Sequence, residues 1–274
     1  MPTLHTNGIN LSYSDQGQGQ PVLFLHGLGS RGEDWGFQVP IFATRYRVIT
    51  ADMRGHGESD KPPGPYSVSM MAADVAGLLD ALDIDSAHIV GLSMGGMIAF
   101  QLVVERPERV RSLVIVNSGP ALVPRDTGEW LRIQQRLMLA RLFGPSQTGK
   151  FLSKRLFPKP EQEFLREQFI ERWAMNDRHA YLAALRAIVG WSVADRIAEI
   201  CCPVLVISGD HDYTPLDAKR QYTARIPGAR FLLIDDSGHA TPIDQPDCFN
   251  DSLMSFLSSI VDRRDSRNRA PEIA

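Results

Sequence analysis

The residues best placed to do chemistry are a serine held between glycines, seven histidines, and two aspartates two positions apart. Ser93 lies in Gly91-Leu92-Ser93-Met94-Gly95, the G-x-S-x-G pattern of a nucleophilic serine on a tight strand-to-helix turn. The glycines have a steric purpose: the turn is strained, and small neighbours let the backbone bend. The bare pattern recurs by chance in many chains, so its flanks carry the weight here. Apolar residues 87–92 lead in as a buried strand, and residues 96–102 lead out as a helix. The first amides of that helix, Met94 foremost, offer free N–H groups and the positive end of a helix dipole, which suit an oxyanion.

A serine hydroxyl at its ordinary pKa is a weak nucleophile and needs a base. His5 in the N-terminal arm and His88 inside a strand lie out of reach, and His179 opens a solvated helix. His56, in Arg54-Gly55-His56-Gly57, belongs to a structural turn, and His211 adjoins the acid candidates. His26 ends a strand, where it shapes the loop His26-Gly27-Leu28-Gly29. His239, in Asp236-Ser237-Gly238-His239-Ala240, follows the last strand and precedes the C-terminal helix, with Gly238 free to aim its ring. A carboxylate must then hold the imidazole Nδ1–H, and it should lie between Ser93 and His239 in the chain. Asp210 and Asp212 both qualify, and spacing alone does not choose between them. The Leu28 N–H is the natural second oxyanion donor, although its loop taken alone reads as an ordinary glycine turn.

These side chains need a scaffold, and the chain supplies an α/β pattern. Short apolar runs at 21–26, 46–52, 87–92, 110–117, 203–208 and 230–234 read as strands, with residues 9–14 as an edge strand. Helical patterns at 67–82, 94–105, 216–226 and 247–260 lie between or after them. Such alternation implies a mostly parallel sheet with helices on both faces. It breaks once, at 120–198, where helical stretches near 130–143, 161–173 and 179–189 are separated by Gly144-Pro145 and Pro158-Lys159-Pro160. An insertion there would cap the carboxyl edge of the sheet, where ligands bind in open α/β folds. The expected division is a core of 1–119 and 199–261, a helical cap of 120–198, and a loosely held tail of 262–274. His26, Gly27, Trp35, Trp130, Trp173 and Trp191 are candidate pocket walls. The plainer reading is that the cap aromatics pack its helices together. Arg132, Arg136 and Arg186 could grip a substrate carboxylate, against the plainer reading of solvated helix residues.

Composition narrows the function classes. The chain has 274 residues, 43% of them hydrophobic, with a net charge of −3. It therefore has no electrostatic footprint for nucleic acid and no basic cluster for an anionic membrane. It has neither a signal-peptide pattern nor an apolar run long enough to span a bilayer, and it reads as cytoplasmic. Cys201, Cys202 and Cys248 match neither a disulfide framework nor zinc spacing and read as reduced core residues. No metal is expected.

With these residues in hand, the chain resembles the α/β-hydrolase superfamily. The likeness runs through His26-Gly27, Asp52-Met53-Arg54-Gly55-His56-Gly57-Glu58-Ser59, the Ser93 turn, Gly209-Asp210-His211-Asp212-Tyr213-Thr214-Pro215 and Gly238-His239. The resemblance implies an eight-stranded, mostly parallel α/β-hydrolase sheet with a helical cap after the sixth strand. It also implies a Ser93–Asp212–His239 triad, since the family's acid stands three residues after the glycine ending its strand, and an oxyanion hole from Leu28 and Met94. Within the superfamily, the chain looks like the esterase, enol-lactonase and cofactor-free perhydrolase group. A serine at 93 argues against the dehalogenases and epoxide hydrolases, which use aspartate there. The implied activity is hydrolysis of a small carboxylic ester or lactone without a cofactor. A C–C hydrolase or perhydrolase with the same triad is the alternative, and a small-molecule receptor on a hydrolase scaffold is the alternative of another class. Oligomeric state is left open.

Overall fold

The computed structural model describes residues 1–124 and 126–268. The chain begins with a hairpin of β1 (Thr3–Thr6) and β2 (Ile9–Gln16). Its turn is Asn7-Gly8, both at positive φ (47° and 75°), as tight hairpin turns demand. Then come β3 (Gln20–Leu25), α1 (Val39–Phe42), β4 (Tyr46–Ala51), α2 (Val68–Ala81), β5 (Ala87–Leu92), α3 (Met94–Glu105) and β6 (Val110–Val116). Three helices follow: α4 (Thr127–Leu156), α5 (Glu163–Ala174) and α6 (Arg178–Ile188). The chain returns to the sheet with β7 (Val204–Gly209), α7 (Leu216–Ala224), β8 (Arg230–Ile234), α8 (Thr241–Asp244) and α9 (Pro246–Asn268).

The strands form one sheet in the order β1-β2-β4-β3-β5-β6-β7-β8. The pairings of β1 with β2 and of β2 with β4 are antiparallel, and all the others are parallel. The residues expected as an edge strand therefore lie one strand in. The true edge is β1, whose four residues are too few to declare themselves by alternation. The parallel strands are buried on both faces, which is why they read as unbroken Val, Ile and Leu runs. α2 and α3 pack one face, through Val75, Leu79, Ile98 and Leu102. Phe42 of α1 and Phe249, Leu253 and Phe256 of α9 pack the other.

The interruption between β6 and β7 is helical, as its composition implies. α4 breaks at Gly144-Pro145, where Gly144 leaves helical geometry (φ 70°, ψ −177°). Asp126 caps α4 by accepting from the Glu129 N–H, and Asp177 caps α6 by accepting from the Ala180 N–H. Two expectations change. α9 runs on to Asn268, into the stretch read as a tail, and residues 269–274 lie outside the described residues. The cysteines are free but not core: Cys201 and Cys248 are exposed and Cys202 is half-buried. No described helix is long and apolar enough to cross a membrane.

Candidate active site

Ser93 sits between β5 and α3 with φ 54° and ψ −114°, a left-handed conformation costing a non-glycine residue about 1–3 kcal/mol. The surroundings hold it there. Its N–H donates to Val116 O (3.0 Å), and its carbonyl accepts from the Ser118 hydroxyl (2.6 Å) and the Gly96 N–H (3.0 Å). The glycines are required for space. A Cβ on Gly91 would lie 2.4 Å from Gly95 O, and one on Gly95 only 2.1 Å from Leu25 O. Gly27 faces the serine, since a Cβ there would lie 3.5 Å from Ser93 Cβ.

The loop after β8 carries His239, whose Nδ1–H donates to Asp212 Oδ1 at 2.7 Å. It is Asp212, not Asp210, that meets the imidazole. Asp210 Oδ1 instead accepts the Ser237 N–H at 2.9 Å and anchors the loop. The second oxygen of Asp212 bonds the Lys219 ammonium and the Thr214 hydroxyl. Burial pushes the Asp212 carboxyl up, but the charges of His239 and Lys219, with their hydrogen bonds, outweigh it and hold the group well below the usual carboxylate range. Burial lowers the Lys219 pKa, and Asp212 recovers only part of that shift. The Lys219 Nζ also reaches Ser208 Oγ at 2.8 Å. Tyr213 stacks on the His239 ring (4.2 Å, 28°), which limits its tilt, and burial pushes the Tyr213 phenol up to about 12.

Asn117, at the end of β6, gathers these loops. Its Nδ2 donates to His239 O (2.9 Å) and Thr241 Oγ1 (2.7 Å), and its Oδ1 accepts the Gly209 N–H (3.0 Å). The loop after β3 is fixed from below by His26, whose Nε2 accepts the Met53 N–H (2.9 Å) while its Nδ1 donates to Gly27 O (2.8 Å). Burial lowers the His26 pKa to about 4, so the ring is neutral and can serve both partners. Asp52 ties the same loop to the next one, accepting from the Gly32 N–H (2.7 Å) and the Glu58 N–H (2.8 Å). Among the described residues, the Leu28 and Met94 amides donate to no protein acceptor.

Ser93, His239, Leu28, Gly27 and Trp173 line one cavity of about 90 Å³ beneath the inserted helices. Leu152, Leu156, Phe157, Phe169 and Tyr213 complete its apolar wall. Other expected wall residues lie elsewhere. His26 is buried under the loop it supports. Trp35 packs on the opposite face of the sheet against Phe24 (4.8 Å) and Phe249. Trp191 donates its Nε1–H to Gln101 Oε1 (2.5 Å), next to α3. Trp130 is 53% exposed. It is absent from the cavity lining, which α4 first joins at Arg136, six residues further on. The second half of α4 was missed as an element, although Leu152 and Leu156 stand at i, i+4 spacing. Lys219 gave no signal, because a lysine on a helix after a loop is normally solvated. Among the described residues, no group of three or more His, Cys, Asp or Glu side chains is arranged to hold a metal ion.

Comparison with known proteins adds an independent line. A family model described as the alpha/beta hydrolase fold matches residues 20–246. A protein of Azorhizobium caulinodans, provisionally named the carbamate hydrolase RutD, is 31% identical over 266 residues, covering 95% of this chain and 99% of its own. 3-Oxoadipate enol-lactonase 2 of Acinetobacter baylyi is 28% identical over 260 residues, covering 93% and 96%. The crystal structure of the enol-lactonase from Burkholderia xenovorans superimposes with a TM-score of 0.88 at 27% identity, covering 94% of this chain and all of that one (100%).

Proposed function

Given that the chain belongs to the alpha/beta hydrolase family and is a hydrolase of that kind, we propose that it is a serine hydrolase that cleaves a small carboxylic ester or lactone. The observation that carries this reading is the 2.7 Å bond from His239 to a charge-stabilised Asp212, with Ser93 and His239 on the wall of one apolar cavity. In this reading Ser93 Oγ attacks the scissile carbonyl as His239 Nε2 takes its proton. Asp212 fixes the tautomer of His239 and stabilises the imidazolium. The Leu28 and Met94 amides, free of other acceptors, receive the oxyanion, and each such donor is worth about 10²–10³ in rate. His239 returns the proton to the leaving alkoxide, and water then repeats the sequence on the acyl-enzyme.

The chemistry asks for no metal or organic cofactor. Residues 1–119 and 199–261 would supply it, and residues 120–198 would roof the site and choose the acyl group. The test is Ser93→Ala together with labelling by a fluorophosphonate. The substitution should lower kcat/KM on a short-chain ester by about 10⁴-fold or more, and the label should reside on Ser93. Full activity in the alanine variant would overturn the reading. A panel of short esters, lactones and carbamates then identifies the preferred acyl group.

A further inference from the structure

Two bonds locate His239 without fixing the plane of its ring. Asn117 holds its carbonyl, and Asp212 holds its Nδ1. A single hydrogen bond to one ring nitrogen still lets the imidazole swing about that bond, which would move Nε2. The ring of Tyr213, the residue after Asp212, stacks on the imidazole with centroids 4.2 Å apart and planes 28° apart. A flat neighbour at stacking distance removes that freedom. The orientation of Nε2 therefore depends on whatever holds Tyr213.

The inserted helices hold it. Arg136 of α4 hydrogen-bonds the Tyr213 phenol, and Arg155 of the same helix brings its guanidinium carbon to 5.3 Å from the centre of the ring. That distance lies within cation–π range. These two arginines are 19 positions apart in the chain. In a straight helix they would stand about 28 Å apart and could not share one ring. Between them α4 breaks at Gly144-Pro145, where Gly144 takes φ 70°. The break is what brings both halves of α4 to Tyr213. Arg136 also bonds the Tyr181 hydroxyl of α6, which in turn meets the Trp173 indole N–H of α5. All three inserted helices are thus tied to the ring that lies on His239.

We propose that Tyr213 is a positioning residue through which the inserted helices set the plane of the His239 imidazole, and that Arg155 supports turnover by holding Tyr213. This rests on the hydrolase reading above. Arg155 separates the proposal from a plainer role for Tyr213 as a cavity wall. It is exposed and, among the described residues, is not part of the wall around Ser93, so it does not meet a substrate there. Its effect on the reaction can pass only through Tyr213.

The test measures kcat and KM on a short-chain ester for Tyr213→Phe, Tyr213→Leu, Arg155→Gln and the double variant Arg155→Gln/Tyr213→Leu. Tyr213→Leu keeps apolar bulk and loses the flat face. It should lower kcat by about 100-fold, the cost of a misplacement of about 1 Å, with KM nearly unchanged. Tyr213→Phe keeps the ring and should recover most of that loss. Arg155→Gln should lower kcat by about two- to fivefold, as an exposed cation–π contact supports, and should add nothing in the Tyr213→Leu background. A second readout needs no turnover. The downfield proton resonance of the His239–Asp212 bond should stay sharp in the wild type and Tyr213→Phe and broaden through faster exchange in Tyr213→Leu. Wild-type kcat in Arg155→Gln, additive losses in the double variant, a loss carried by KM alone, or an unchanged resonance in Tyr213→Leu would overturn the proposal while leaving the hydrolase reading standing. If the wild type cleaves no ester, the hydrolase reading fails instead, and the resonance alone decides whether Tyr213 holds the ring.

Discussion

Lys219→Met is the most informative single perturbation of the Asp212 environment. Lys219 and Asp212 pair with side chains only 3% and 1% exposed. The substitution keeps the length of the side chain and removes its charge. Removing one partner of a buried pair costs about 3–5 kcal/mol. The lower end applies here for two reasons. Asp212 keeps His239 and Thr214 as donors. Lys219, whose own pKa burial lowers, gives back part of its desolvation cost. A loss of about 3 kcal/mol corresponds to a Tm lower by about 6–12 °C in a domain of this size. The dependence on pH has a defined sign. Asp212 is depressed in the folded state, so its contribution is present above the unfolded value near 3.9 and is lost as pH falls through the lower folded value. The variant has less depression to lose. The Tm gap measured by scanning calorimetry should therefore be full at pH 6–8 and narrow below about pH 4. Ester hydrolysis should fall by about 10- to 100-fold as the carboxylate loses one of its anchors. A variant with wild-type Tm and wild-type rate would refute the reasoning.

Three further outcomes follow from the same geometry. His26 and His56 are buried and neutral, with burial lowering them from 6.5 to about 4 and about 3. The unfolded chain binds more protons below pH 6.5, so the urea midpoint should fall from pH 6.5 to 4, and His26→Gln should make that fall shallower. Gly95→Ala would press a Cβ within 2.1 Å of the Leu25 carbonyl and should yield no soluble folded protein on expression. Gly29, at φ 78°, lies against the Trp173 ring, where an added Cβ would approach to 2.6 Å. Gly29→Ala should therefore raise KM for short esters more than it lowers kcat, as steady-state kinetics would show.

The parallel sheet was legible in the sequence because strands buried on both faces need continuous apolar runs. The Ser93 turn was legible because its glycines answer a steric need that backbone contacts at 2.1–2.4 Å make visible. Asp210 and Asp212 were not separable by the chemistry of their side chains. Their difference lies in which way each points, toward Ser237 or toward His239, and the choice of Asp212 rested on family spacing. Trp173 reaches the cavity, whereas Trp35, Trp130 and Trp191 misled because residue type does not say where a ring packs or whether it packs at all. Trp35 is buried, but on the far face from Ser93. Lys219 stayed hidden because a charged residue on a helix is usually solvated, and for the same reason the sequence could not separate Arg136, which reaches the cavity wall, from Arg132 and Arg186, which are exposed.

Asn117 stands at the root of the insertion, immediately after β6, and its side chain binds Gly209 at the far end of β7. The two strand ends are thus clasped by a residue that precedes the insertion and a residue that follows it. Closing a longer loop between ends already fixed costs little, about 0.6 kcal/mol for each doubling of its length. The roof can therefore be lengthened, shortened or replaced while the clasp keeps Asp212 and His239 in register.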